Sequence, residues 1–130
     1  MAQHTRAAVW ALAAGLAVPR FAAAQDTTKA DETFHAGREL MKDGKLAEAC
    51  PKFEESQKAD PAPGTLLALA YCQELSGLLA SAHANYLAAA DLAAKEGQPE
   101  KQKASGERAE ALSKRVSTLT ILVPAQLTRQ

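Results

Sequence analysis

An all-α chain of stacked antiparallel helical hairpins is the fold class that the sequence predicts, and three observations predict it. The segment Lys42-Asp43-Gly44-Lys45-Leu46-Ala47-Glu48-Ala49, with Phe53 beyond it, returns as Leu75-Ser76-Gly77-Leu78-Leu79-Ala80-Ser81-Ala82 with Tyr86 beyond it. Gly44 and Gly77 stand 33 positions apart, the length of a helix-turn-helix unit that buries its apolar face by stacking on a neighbour. The composition is rich in alanine and poor in aromatics, which lets helices approach closely and disfavours base stacking or a carbohydrate platform. Such a stack presents side chains along a groove and carries no inherent chemistry, so the pattern speaks for binding or scaffolding.

The first 24 residues are set apart from the fold. Arg6 gives a positive start, Ala7 to Val18 is an apolar run of 12 residues, and Ala22-Ala23-Ala24 supplies small residues before Gln25. This order reads as a secretory signal peptide over 1–24, with an Ala-rich leader as the plain alternative. The run is shorter than the roughly 20 residues that span a bilayer, so no stable membrane span is expected after cleavage. Removal would leave 106 residues with a formal charge of −2, enough for one small domain and without a basic footprint for nucleic acid. The expected location is periplasmic or secreted.

The helical domain is expected over 25–116. Gln25 to Thr28 reads as a frayed start, with Thr28 and Asp31 at capping-box spacing, and a first helix follows from about Lys29 to Asp43. Gly44 ends it by supplying the turn, and a second helix runs from about Leu46 to Ala59 with Leu46, Ala49, Cys50 and Phe53 on one stripe. Pro51 disturbs that helix, so it either begins later than Leu46 or bends. Asp60-Pro61-Ala62-Pro63-Gly64-Thr65 stops the run and launches a third helix that is apolar on more than one side, as a sandwiched helix should be. After Gly77 a long helix from about Leu78 to Lys95 carries Ala82, Tyr86, Ala89 and Ala93 on one face. Glu96-Gly97-Gln98-Pro99 breaks it, and a fifth helix follows with Glu100 early, Lys114 and Arg115 late, and a narrow stripe of Ala109, Leu112 and Val116.

From Thr118 to Val123 the pattern turns to alternating β-branched residues stopped by Pro124, which predicts a C-terminal β-strand. A single strand cannot satisfy its own backbone, so 117–130 reads as a strand and tail, and as the possible start of a missing β domain or an addition to another chain's sheet. A frayed tail is the other reading.

Few residues point to chemistry. Cys50 and Cys72 fall on adjacent helices, and export would permit a disulfide, whereas two buried thiols would serve as small apolar side chains. His35 and His83 are a hairpin apart and lack partners at metal-ligand spacing, so no metal is expected. No nucleophile elbow, phosphate loop or acid-base pair is recognisable, so the chain is read as no enzyme and no cofactor is expected. Glu54-Glu55 and the Lys-rich stretch 101–103 read as solvated faces.

These residues resemble the tetratricopeptide-repeat (TPR) family. Gly37, Gly44, Ala49, Phe53 and Pro61 fill its characteristic places in the first unit, and Ala70, Gly77, Ala82, Tyr86 and Ala89 do so in the second. The first unit departs from the pattern at Thr33 and Ser56, and the second lacks a closing proline. The resemblance covers roughly Ala30 to Ala94 and implies a hairpin solenoid of about two repeats plus a capping helix. Together with the leader, the Asp60-to-Leu67 link and the terminal strand, the chain is similar to exported bacterial members that continue into a small β-sandwich.

In that family, peptides lie along the concave face lined by the first helix of each unit. The resemblance places Phe34, Arg38, Met41 and Lys42, then Leu67, Tyr71, Glu74 and Leu75, on that face. Their i, i+4, i+7, i+8 spacing also gathers each set on one helix surface. The expectation is a noncatalytic interaction module of the cell envelope that holds a protein or peptide in this groove. An envelope structural or assembly protein acting by self-association is the alternative.

Overall fold

The computed structural model describes residues 21–116, and the regular structure there is helical: α1 (Phe21–Lys42), α2 (Leu46–Ala59), α3 (Pro63–Leu75), α4 (Leu79–Lys95) and α5 (Pro99–Val116). Most of the leader, residues 1–20, and the strand expected over 118–123 lie outside the described residues.

Three of the four connections share one device. Gly44, Gly77 and Gly97 have φ of 74°, 79° and 67°, a region that costs L side chains energy and glycine almost none. At each, the glycine N–H donates three residues back and the next N–H donates five residues back. The latter bonds are Lys45 to Leu40 (2.9 Å), Leu78 to Gln73 (2.9 Å) and Gln98 to Ala93 (2.8 Å). These paired bonds satisfy the orphan carbonyls of the outgoing helix and turn the chain sharply enough to start an antiparallel one. The α2–α3 link differs: Asp60 and Ala62 are extended, and Pro63 opens α3 at its first turn, where a missing N–H costs nothing.

Two expectations change. The first helix begins at Phe21 rather than Lys29, so Thr28 lies about two turns inside α1 and caps nothing. Alanine explains this, because Ala22-Ala23-Ala24 has the highest helix propensity and carries the helix back through the polar stretch. The second concerns Pro51, which lies inside an α2 that starts at Leu46. Ala47, whose carbonyl the proline ring deprives of its donor, and Pro51 are both exposed, so the loss falls on the wet side of the helix.

Each helix packs on the next in sequence, and α3 also touches α5. The α2–α3 contact is the lightest of the consecutive ones. Two small cores result. Ala49, Cys50, Phe53, Leu69 and Cys72 form the first, with Phe34, Leu40, Met41 and Leu46 against it. Ala70, Ala82, Tyr86, Ala109 and Leu112 form the second, with Leu67 and Leu79 beside it. Phe53 and Tyr86 are the two largest fully buried side chains, and their burial contributes on the order of 2–3 kcal/mol each.

Polar atoms enter this stack in particular ways. Ser56 donates its buried hydroxyl to the Ala30 carbonyl at 2.8 Å and so pins α2 to α1. Exposed Lys29 reaches Glu55 at 3.1 Å across the same pair. α3 and α5 run parallel, since Gly64 faces Lys101 at one end and Glu74 meets Arg115 at the other.

Candidate functional site: a trough on the inner helices

Two clefts lie along the inner helices and share Tyr71. Arg38, Met41 and Lys42 of α1 line the first with Tyr71 and Leu75 of α3, and it encloses about 310 Å³. The second, about 370 Å³, lies between α3 and α5, where Leu67, Ala68 and Tyr71 face Ala104 and Arg108. Helix spacing explains the lining: residues three, four and seven apart share a face, and α3 packs on α2, α4 and α5, so the clefts open on the side of α3 left between them.

The walls are apolar and the rims are charged. Tyr71 is 40% exposed and Leu75 50%; among the described residues Leu78 and Leu87 are the other exposed large apolar side chains, and neither lines these clefts. The Arg108 guanidinium stands over the Tyr71 ring, 5.6 Å from its centroid, a cation–π arrangement. On the opposite rim, Lys42 is paired with Glu39 at 2.6 Å, and that hydrogen bond and charge hold the Glu39 carboxyl below its ordinary range. Arg38 makes no ion pair with any described residue. Chemically, the trough offers apolar burial, an aromatic face and one uncommitted guanidinium.

Of the eight residues expected on this face, five meet around one cleft: Arg38, Met41, Lys42, Tyr71 and Leu75. Leu67 joins through the second. Phe34 sits farther along α1, where its ring packs edge-on against Phe53 with centroids 5.5 Å apart. It also walls a more polar cleft of about 250 Å³ with Asp31, Pro63, Gly64 and Lys101.

Glu74 has a different occupation. Its carboxylate accepts from the Tyr86 hydroxyl at 2.9 Å and pairs with Arg115 at 3.2 Å and Arg108 at 3.6 Å. It is a lock among α3, α4 and α5, with its side chain only 17% exposed. The Tyr86 phenol is pushed up from its ordinary pKa, first by burial and then by the hydrogen bond and charge of Glu74, against a smaller lowering by Arg108.

Sequence reasoning missed the contribution of α5. Arg108, Ala104 and Arg115 lie 30 or more positions from their α3 partners and outside both repeats, so periodicity alone did not reach them. One signal was present: Pro63 and Pro99, 36 positions apart, both open helices, so α3 and α5 start alike.

Cys50 and Cys72 are bonded, their Cα atoms 5.6 Å apart, which fits relaxed disulfide geometry and decides between the two readings left open above. The bridge ties α2 to α3, and therefore one hairpin to the next. Among the described residues no three His, Cys, Asp or Glu side chains gather into a metal site, and no helix is long and apolar enough to cross a membrane. No family model, no curated protein and no solved structure matches the chain.

Proposed function

We propose that this chain is a TPR-like, noncatalytic interaction module of the cell envelope, and that it holds an extended segment of a partner protein in the trough along α1, α3 and α5. The observation that carries this reading is the exposure of Tyr71 and Leu75, two large apolar side chains on an inner helix, facing Met41 and the unpaired Arg38. Apolar area left in water within a concave surface is a standing drive for association, at about 25 cal/mol per Å² covered. The flanking cations favour a segment that carries an acidic group. Export through the leader at 1–24, giving a periplasmic or secreted protein, completes the proposal.

Panning a displayed library of random peptides on the full chain tests it. Peptides enriched on the wild type should lose at least about tenfold in affinity for Leu75→Glu and for Tyr71→Ala, the loss expected when a hot-spot side chain is removed. They should be retained by Leu87→Glu, a change at an exposed residue that lines neither inner cleft. Equal loss on all three variants, or none on any, would remove the trough as the site.

Self-association is the second reading, and the exposed Leu78 and Leu87 outside the trough favour it. Mass in solution that rises with concentration, and falls on Leu87→Glu, would support it.

A further inference from the structure

The Cys50–Cys72 bridge is not evenly shielded. Cys72 is fully buried, whereas Cys50, covered except for 8% of its surface, lines an open cleft of about 490 Å³ between α2 and the end of α3, together with Ala47, Pro51, Ser76 and Leu78. We propose that this cleft is the access point for a thiol reductant, and that the bridge is a reversible redox joint between the two hairpins, opened by attack at the Cys50 sulfur. The proposal goes beyond the trough reading and does not need it, because it concerns the chemistry of the joint.

The exchange balances as follows. A thiolate of a dithiol reductant attacks Cys50 Sγ, the bond to Cys72 Sγ breaks, and Cys72 leaves with the electron pair and takes a proton. The reductant's second thiolate then attacks its own sulfur in the mixed disulfide and releases Cys50. The dithiol ends as a disulfide, and the bridge ends as two thiols.

Both sulfurs have polar neighbours suited to the reduced state. Cys72 Sγ lies 3.8 Å from the Leu46 carbonyl, which can accept from the new thiol, and Cys50 Sγ lies 3.6 Å from Ser76 Oγ. Attack at the Cys72 sulfur has no comparable route, because Cys72 has no exposed surface.

The consequence falls on the joint. α2 on α3 is the lightest of the consecutive helix contacts, and the bridge crosses it. Reduction removes a covalent tie from the interface that sets where α1 stands relative to α3, and so sets the width between Arg38 and Leu75. The α1–α2 and α4–α5 pairs are more extensively packed and should move as units.

The test uses the full chain with glutathione under native conditions, followed by acid quenching, alkylation and mass mapping of the first mixed disulfide. The first adduct should form on Cys50 in preference to Cys72 by about tenfold or more, as access selects the sulfur attacked. Ala47→Phe, which puts a ring into the cleft from an exposed position, should slow that adduct several-fold without altering the helical signal.

Hydrogen exchange on the protein reduced by a dithiol should speed at the facing residues of α2 and α3 and stay unchanged within α4 and α5. Adducts divided evenly between the two cysteines, or reduction that proceeds only at the rate of global unfolding with Ala47→Phe without effect, would overturn the proposal. Loss of peptide binding by Leu75→Glu bears on the trough alone.

Discussion

Gly37 lies so close to the Phe53 ring that a Cβ on it would stand 3.0 Å from Phe53 Cε1. One repeat later the same pair is Ala70 and Tyr86, both buried in the second core, so the chain spends one methyl differently at equivalent positions. In the first unit the ring fills the space down to the α1 backbone.

Gly37→Ala should therefore destabilise the fold by about 1 kcal/mol. Overpacking a filled core costs about 1–3 kcal/mol, while replacing a helical glycine by alanine returns up to about 1. Crowding wins here because Phe53 is fully buried and Phe34 stands edge-on to it, leaving the ring nowhere to go. Urea unfolding, with the midpoint shifted down at unchanged slope, is the check.

Two buried serines should respond in opposite directions to alanine. The Ser105 hydroxyl is fully buried and has no hydrogen-bond partner among the described residues, so Ser105→Ala should stabilise by about 1 kcal/mol. Ser56 donates to the Ala30 carbonyl, so Ser56→Ala should destabilise by about 1 kcal/mol. Thermal melts of the two variants, moving to either side of the wild type, test both.

The Tyr86–Glu74 pair makes stability fall at alkaline pH. In the unfolded chain the phenol titrates near its ordinary value of about 10, and in the folded chain it holds its proton to higher pH. Above about pH 10 the folded state thus binds more protons than the unfolded one, and the stabilisation present below that pH is lost as pH rises. Tyr86→Phe should flatten this alkaline decline. Denaturant unfolding from pH 8 to 11 would show it, and a wild type as flat as the variant would contradict it.

Removing the bridge with Cys50→Ala and Cys72→Ala together should cost about 3 kcal/mol, the entropy of closing a loop across a sequence separation of 22. Helical circular dichroism at low denaturant should persist, because the two cores keep Phe53, Leu69, Tyr86 and Leu112. Equilibrium unfolding of the double variant gives the number.

The local rules of helix and turn made most of this architecture legible in the sequence. Gly44 and Gly77 announced turns because a left-handed residue after an apolar helix has few other uses. Phe53 and Tyr86 announced the core because they hold the same place in both units. The span Leu46–Ala59 could be read despite Pro51, since the stripe of Ala49, Cys50 and Phe53 outweighs one lost hydrogen bond. The trough was legible on α1 and α3, where i, i+4 spacing applies.

What escaped depends on pairs distant in sequence. No local pattern says that Glu74 will be claimed by Arg115, 41 residues on, and by Tyr86, or that Phe34 will lean on Phe53 as well as face inward. Ser105 is polar in type, yet it is fully buried. α1 starts at Phe21 rather than Lys29 because the three alanines that fit a cleavage site also carry a helix through polar Gln25 to Thr28.

The proposed function needs an open trough along α1, α3 and α5 that takes up an extended segment. An amide NMR titration of the full chain with a peptide enriched on it measures that uptake residue by residue. Shifts are expected at 38–42, 67–75 and 104–108, with α4 beyond Tyr86 unchanged. Shifts confined to the outer surface around Leu78 and Leu87 would contradict it.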